Sequence, residues 1–166
     1  MAEQDLHLES LEKFLHWWLS ARPMNTPNES PTNFNGTLSG AVLYRQEPYQ
    51  VQLFIVQPNS DIEAHIHPNV DSYEVYVGGD INFMCDNVEY KNNAIGNCIR
   101  VKPNSWHGGK FGERGGCFLS VQKWLNGVIP TSVGNDWHDK NNNETGTASK
   151  LIMKHGENTN TVQEHM

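Results

Sequence analysis

What this chain has little of narrows its function first. Lys and Arg total 12 against 19 Asp and Glu, a net charge of −7. Nucleic acids and anionic membranes are met by basic surfaces, so neither is expected as a partner. No apolar run approaches the roughly twenty residues of a membrane-spanning helix. The first residues, Met1-Ala2-Glu3-Gln4-Asp5, are acidic and carry no basic leader, and the expected location is the cytoplasm. The three cysteines, Cys85, Cys98 and Cys117, form no C-x-x-C pair. An odd, scattered set predicts reduced thiols, each a small buried hydrophobe, rather than a disulfide framework. There is no internal repeat, which predicts a single barrel rather than a duplicated one, and no helical pattern separates the strand-like segments, which points to an antiparallel all-β architecture.

What is present suits one all-β domain. At 166 residues the chain is long enough for a sizeable core, and five Trp, five Tyr and six Phe supply bulk to bury. One helix is predicted near the N-terminus, over roughly 9–21, with Ser10 able to cap it and Pro23 ending it. Leu8, Leu11, Phe14, Leu15, Trp18 and Leu19 recur at three- and four-residue spacing and give it one apolar stripe, for the outside of the domain or a partner subunit. His16 lies off that stripe, in solvent. Residues 24–36 read as loop. Short strands then follow at roughly 38–44, 50–57, 64–67, 73–77, 81–86, 98–102 and 117–124. Turns are expected at Glu47-Pro48, Pro58-Asn59, Gly78-Gly79 and Gly108-Gly109. Many short strands without intervening helices predict an antiparallel sandwich or barrel. The organisation expected is a helix and loop at 1–36, a β-barrel at 37–129 and a polar extension at 130–166, disordered in its last residues.

The chemistry-bearing stretch runs from His65 to Asp80. His65 and His67 are separated by one residue, so on a strand both imidazoles leave the same face. A pair of neutral imidazoles on one wall suits a divalent transition metal; two solvated histidines on a surface strand are the alternative. Further on stands Gly96-Asn97-Cys98-Ile99-Arg100-Val101-Lys102-Pro103-Asn104-Ser105-Trp106-His107. His138, His155 and His165 have no second ligand at strand spacing beside them and read as solvated.

Together the two stretches resemble the cupin family of small β-barrels, whose motifs read G-x5-H-x-H-x3,4-E-x6-G and G-x5-P-x-G-x2-H. Asn59 stands at the opening glycine of the first motif and Asn104 at the inner glycine of the second. Asn is the other residue that tolerates left-handed backbone, so both turns survive. Gly96, Asn104 and His107 fall in register, Lys102 takes the proline position with Pro103 one residue late, and Phe111 replaces a polar residue after the third histidine. The resemblance covers roughly residues 40–125 and implies a cupin-type antiparallel barrel, a double-stranded β-helix or jelly roll. It places metal ligands at His65, His67 and His107.

The acid of the first motif is displaced. Aligning its closing glycine on Gly79 puts Ser72 at the glutamate position; aligning on Gly78 puts Asp71 there. Glu74 lies two residues beyond Ser72, on the same strand face, and its longer side chain reaches farther. Glu74 is therefore the expected ligand or catalytic proton carrier, with Asp71 and a site of three histidines alone as alternatives. Asp71 is expected in the turn before the strand, bonding backbone amides. Trp106, Tyr76 and Phe83 are expected as pocket walls or ordinary core.

The resemblance implies one divalent transition metal (Fe, Mn, Ni or Zn) and a small-molecule ligand or substrate. The expected function is a metal-dependent enzyme of the dioxygenase type, with an isomerase or decarboxylase behind it and a non-catalytic sensing or binding barrel as the other class. Retention of all three histidines favours chemistry. The amphipathic helix and the partly apolar tail add greasy surface, so a homodimer is expected.

Overall fold

The computed structural model describes residues 10–27, 32–34, 38–92, 94–125 and 133–134. Its elements are one helix, α1 (Leu11–Ala21), and strands β1 (Thr32–Phe34), β2 (Leu38–Gln46), β3 (Tyr49–Val56), β4 (Ser60–Ile66), β5 (Val70–Cys85), β6 (Val88–Asn92), β7 (Cys98–Val101), β8 (His107–Trp124) and β9 (Val133–Gly134). All strand pairings are antiparallel.

Two long strands build the barrel. Residues 116–124 of β8 lie between β3 and the first half of β5, and β7 pairs with that half of β5. Residues 107–111 of β8 lie instead between β4 and the second half of β5, which also pairs with β6. Each long strand thus passes from one sheet into the other, and the two layers close around one interior.

The passage happens at glycines. Gly79 has φ +89, and a Cβ there would run into the backbone of Gly115 and Gly116 on β8. The expected turns at Gly78-Gly79 and Gly108-Gly109 therefore do not exist; both pairs lie inside strands, at bulges or close approaches. Glycine signals a turn and a tight strand crossing equally well, and only the pairing distinguishes them. The turns at Glu47-Pro48 and Pro58-Asn59 are present. Asn59 and Asn104 both adopt left-handed backbone, with φ 59 and φ 68, as their positions in the motifs imply.

Further departures are local. β1 falls within the expected loop at 24–36, and β6 lies between the expected strands at 81–86 and 98–102. β9, beside β4, lies in the polar extension; the remainder of 135–166 is outside the described residues. Asp71 is on β5, not in the preceding turn, which is made by Pro68 and Asn69. Cys85 is buried as expected, whereas Cys98 is exposed and Cys117 half-buried; all three are free thiols.

The sheet that carries β2, β3, β8 and β5 is buried on both faces. Inward, Leu38, Phe54, Val56, Tyr76, Ile81, Phe83, Phe111 and Phe118 fill one end of the barrel. Outward, Tyr44, Tyr49, Val51, Val75 and Val121 meet α1 through Leu11, Phe14, Leu15 and Trp18. The helix begins where its cap allows: the Ser10 hydroxyl oxygen accepts from the Lys13 amide at 3.1 Å. It ends with left-handed Arg22 ahead of Pro23, and Trp18 Nε1 donates to the Pro23 carbonyl at 2.9 Å. Of the two places its stripe allowed, the outside of the barrel is the one taken. Leu8 lies outside the described residues, and His16 is solvated.

Phe14 is the pin of this outer layer, fully buried and stacked on Tyr49 with ring centroids 4.4 Å apart. Phe14→Ala is expected to cost about 3–5 kcal/mol in urea unfolding, the usual range for a buried phenylalanine. A loss under about 1 kcal/mol would show that the helix adds no stability to the barrel.

Candidate metal centre

Three strand-end residues converge inside the barrel. His65, on β4, is paired in register with His107, the first residue of β8. His67 follows β4 directly, and its carbonyl accepts from the Asn104 amide at 3.1 Å. The left-handed Asn104 therefore ties the turn ahead of β8 to the end of β4 and brings His107 alongside. The three residues are 1%, 5% and 6% exposed, respectively, and one ring nitrogen of each lies within 4.8 Å of the others. Ring centroids are separated by 4.3 Å for His65 and His107, 4.8 Å for His65 and His67, and 5.1 Å for His67 and His107. The i, i+2 spacing did place both imidazoles on one face, and it is the inner one.

The tautomers are set by the backbone. His65 Nδ1 lies 2.7 Å from the Glu63 carbonyl and His107 Nδ1 lies 2.9 Å from the Ser105 carbonyl. A carbonyl only accepts, so both Nδ1 atoms carry the proton and both Nε2 atoms present lone pairs. Those two Nε2 atoms are buried without a protein hydrogen-bond partner. Burial also holds the rings neutral: it lowers the pKa of His65 well below the usual value, and that of His107 to about 4. Neutral, oriented imidazoles with unused lone pairs fit a divalent transition metal by donor chemistry and by fixed orientation.

Glu74 and Asp71 leave β5 on opposite faces. Asp71 points outward and forms a two-point ion pair with Arg100, at 2.8 and 2.7 Å. Glu74 points inward, is 4% exposed and lines a cavity with His65 and His107. Its Oε2 accepts from Ser72 at 2.9 Å and from Ser120 at 3.1 Å, while Oε1 has no protein partner. Ser72, the residue at the motif's glutamate position, thus holds the displaced acid. Glu74 is not part of the group within mutual ligand distance, which among the described residues consists of the three histidines. Burial pushes its carboxyl up to about 7, against the two serine hydroxyls that favour the anion.

The cavity measures about 20 Å³, and its other walls are Ile62, Phe83, Ile99, Val101, Phe111 and Phe118, with Gly108 and Gly109. Phe83 is a wall as expected. Tyr76 is core, its hydroxyl donating to the Gly79 carbonyl at 2.7 Å. Trp106 sits outside, 40% exposed, over a surface groove of about 250 Å³. His138, His155 and His165 are outside the described residues.

Sequence reasoning missed the buried polar residues Gln50, Gln52, Ser120 and Gln122. In the strands Tyr49–Val56 and His107–Trp124 they alternate with apolar residues, a pattern that ordinarily puts the polar set in solvent. The available signal was α1, whose apolar stripe has to cover the apolar face of that same sheet.

Solved structures share this barrel of two antiparallel layers. KdgF from a Halomonas species superposes with a TM-score of 0.54 at 10% identity, covering 61% of this chain and 93% of that one. An RmlC-like cupin from Shewanella frigidimarina gives 0.53 at 17%, covering 60% and 86%. A sugar phosphate isomerase from a cupin superfamily, from Silicibacter pomeroyi, gives 0.53 at 16%, covering 70% and 80%. No family model and no curated protein sequence matches the chain. The chain therefore has the fold of the cupin double-stranded β-helix.

The raised carboxyl has a stability consequence. Glu74 prefers its proton in the folded protein, so its contribution is fully present below about pH 4.5 and is lost as pH rises towards 7. The shift amounts to on the order of 3 kcal/mol. Metal-free protein is expected to lose stability against Glu74→Gln between pH 4.5 and 7, the histidine contributions being common to both. Urea midpoints that run parallel across this window would contradict the buried carboxyl.

Proposed function

We propose that the protein is a metal-dependent enzyme on a small molecule, of the dioxygenase type, with one divalent transition metal (Fe, Mn, Ni or Zn) held by His65, His67 and His107. The observation that carries this is the pair of buried Nε2 lone pairs whose Nδ1 atoms are locked onto backbone carbonyls. Such an ion supplies a Lewis-acid centre and, as iron(II), one-electron reactivity towards dioxygen.

Glu74 is the proton carrier of this site. Its Oε2 already accepts two hydroxyl donors, so a proton on the carboxyl sits on Oε1. Its affinity for that proton is close to neutral, which suits acid and base work alike. The apolar walls keep bulk water away from both groups. An isomerase is the second reading, favoured by this single carboxyl, able to remove a proton at one position and return it at another. One of the superposed structures is named a sugar phosphate isomerase.

The setting proposed is a cytoplasmic homodimer. The three free thiols fit a reducing compartment. Beyond the reach of α1, the outer sheet face shows Ile55, 51% exposed, in register with half-buried Cys117. This uncovered apolar face is what a second copy would cover in the proposed dimer. Light scattering at micromolar concentration should give twice 18.8 kDa; a monomer mass contradicts it.

Elemental analysis of protein purified without a nickel column tests the centre. His107→Ala is expected to lower bound metal to under about a tenth of wild type, whereas His16→Ala, in an exposed helix position, leaves it unchanged. Equal metal content in the two variants would remove the site, and metal without dioxygen uptake on any small-molecule panel would favour the isomerase.

A further inference from the structure

The buried row at the start of β8 runs His107, Gly109, Phe111, and its middle position has no side chain. Gly109 is paired with Ile62 of β4 on one side and with Phe83 of β5 on the other. Residues directly opposite in an antiparallel sheet share a face, so a side chain at 109 would enter the barrel between those two. A Cβ there would stand 3.2 and 3.4 Å from ring atoms of Phe111 and 3.5 Å from the Asn82 carbonyl oxygen. Gly109 is not among the glycines of positive φ, so its backbone conformation does not demand glycine. What the missing side chain leaves is room.

That room belongs to the cavity of about 20 Å³ walled by Ile62, Phe83, Ile99, Val101, Phe111 and Phe118. The surface these residues present is almost wholly hydrocarbon. His65, His107 and Glu74 stand around it, but their unpartnered Nε2 and Oε1 atoms are buried and turn almost no surface towards it. A water placed here would give up its hydrogen bonds without replacement, and apolar cavities of this kind stay dry and accept apolar guests. One atom the size of a water takes roughly 10–15 Å³ of such a space. Two atoms at bonding distance therefore fit, and a ligand of several heavy atoms does not.

We propose that this cavity is a binding site for one molecule of dioxygen, an apolar diatomic, held by dispersion contacts beside His65 and His107. The inference rests on the dioxygenase reading given above and deepens it, because it gives that co-substrate a place of its own in the protein. Gly109 is the residue that makes the place, by leaving out a side chain on the inner face.

Dioxygen is paramagnetic, so a molecule held in the cavity speeds the relaxation of the methyl protons that touch it. Methyl NMR of the metal-free protein in EDTA, recorded under dioxygen and again under dinitrogen, reads this effect. The Ile62, Ile99 and Val101 methyls are expected to be enhanced several-fold more than those of Val121, which is fully buried on the outer face beneath α1. Gly109→Ala puts a methyl group into the space and is expected to reduce the three to the level of Val121. Val101→Ile fills the space from another wall and serves if the first variant fails to fold. Enhancement in wild type no greater than at Val121, or enhancement unchanged in a folded filled variant, overturns the proposal. The measurement involves no metal, so its failure is distinct from failure of the enzyme reading. Enhancement in a protein that proves to bind no metal keeps the gas site and removes the enzyme; metal binding without enhancement keeps the metal centre and removes the gas site.

Discussion

Strand β8 hydrogen-bonds to three other strands, and the rest of the molecule depends on those registers. Its first residues sit between β4 and the end of β5, its last residues between β3 and the start of β5. The first set of pairings places His107 opposite His65. The second places Ser120 opposite Glu74 and Gln122 opposite Gln50. One strand thus brings both the imidazole cluster and the carboxyl's support into the same interior. A shift by one residue would turn all of them outward together, which is why apolar burial on the alternate positions is itself what holds the site.

That constraint explains why the interior tolerates so many polar groups. Buried amides and hydroxyls are costly when unpaired and nearly neutral when every donor and acceptor is met. The glutamine and serine side chains meet this condition by bonding one another, ending on Glu74 Oε2. The exceptions stand together: Glu74 Oε1 and the Nε2 atoms of His65 and His107 belong to residues around one cavity. Tyr49, whose hydroxyl is also buried without a partner, lies away from it under the helix. In a folded protein, unsatisfied groups gathered at one point mark the place where binding returns the lost hydrogen-bond energy.

The helix acts on the site from outside. By covering Tyr49, Val51, Val75 and Val121 it lets the apolar residues of β3, β5 and β8 face away from the barrel. The polar residues between them are thereby left to face inward. Without α1 the same alternation would read, and pack, the other way round. The chemistry of the interior is in this sense a consequence of a helix that touches none of it.

Much of this was legible in the chain. The paired histidines on one strand face, the helix cap at Ser10 and the all-β class follow from local spacing, because backbone geometry fixes which neighbours share a face; the third histidine, after a left-handed Asn104, came from the resemblance of the two stretches to the cupin motifs. The separation of Glu74 from Asp71 onto opposite faces is of the same kind. What the chain did not show depends on pairing between distant strands. Gly78-Gly79 and Gly108-Gly109 carry turn chemistry yet lie within strands, since a close crossing needs the same missing side chain as a turn. The direction in which Gln50, Gln52, Ser120 and Gln122 point was decided by burial of both sheet faces, and burial is a property of the assembled layers. Local sequence determined which residues share a strand face; tertiary packing alone decided that Glu74 is held by serines at one oxygen and left open at the other.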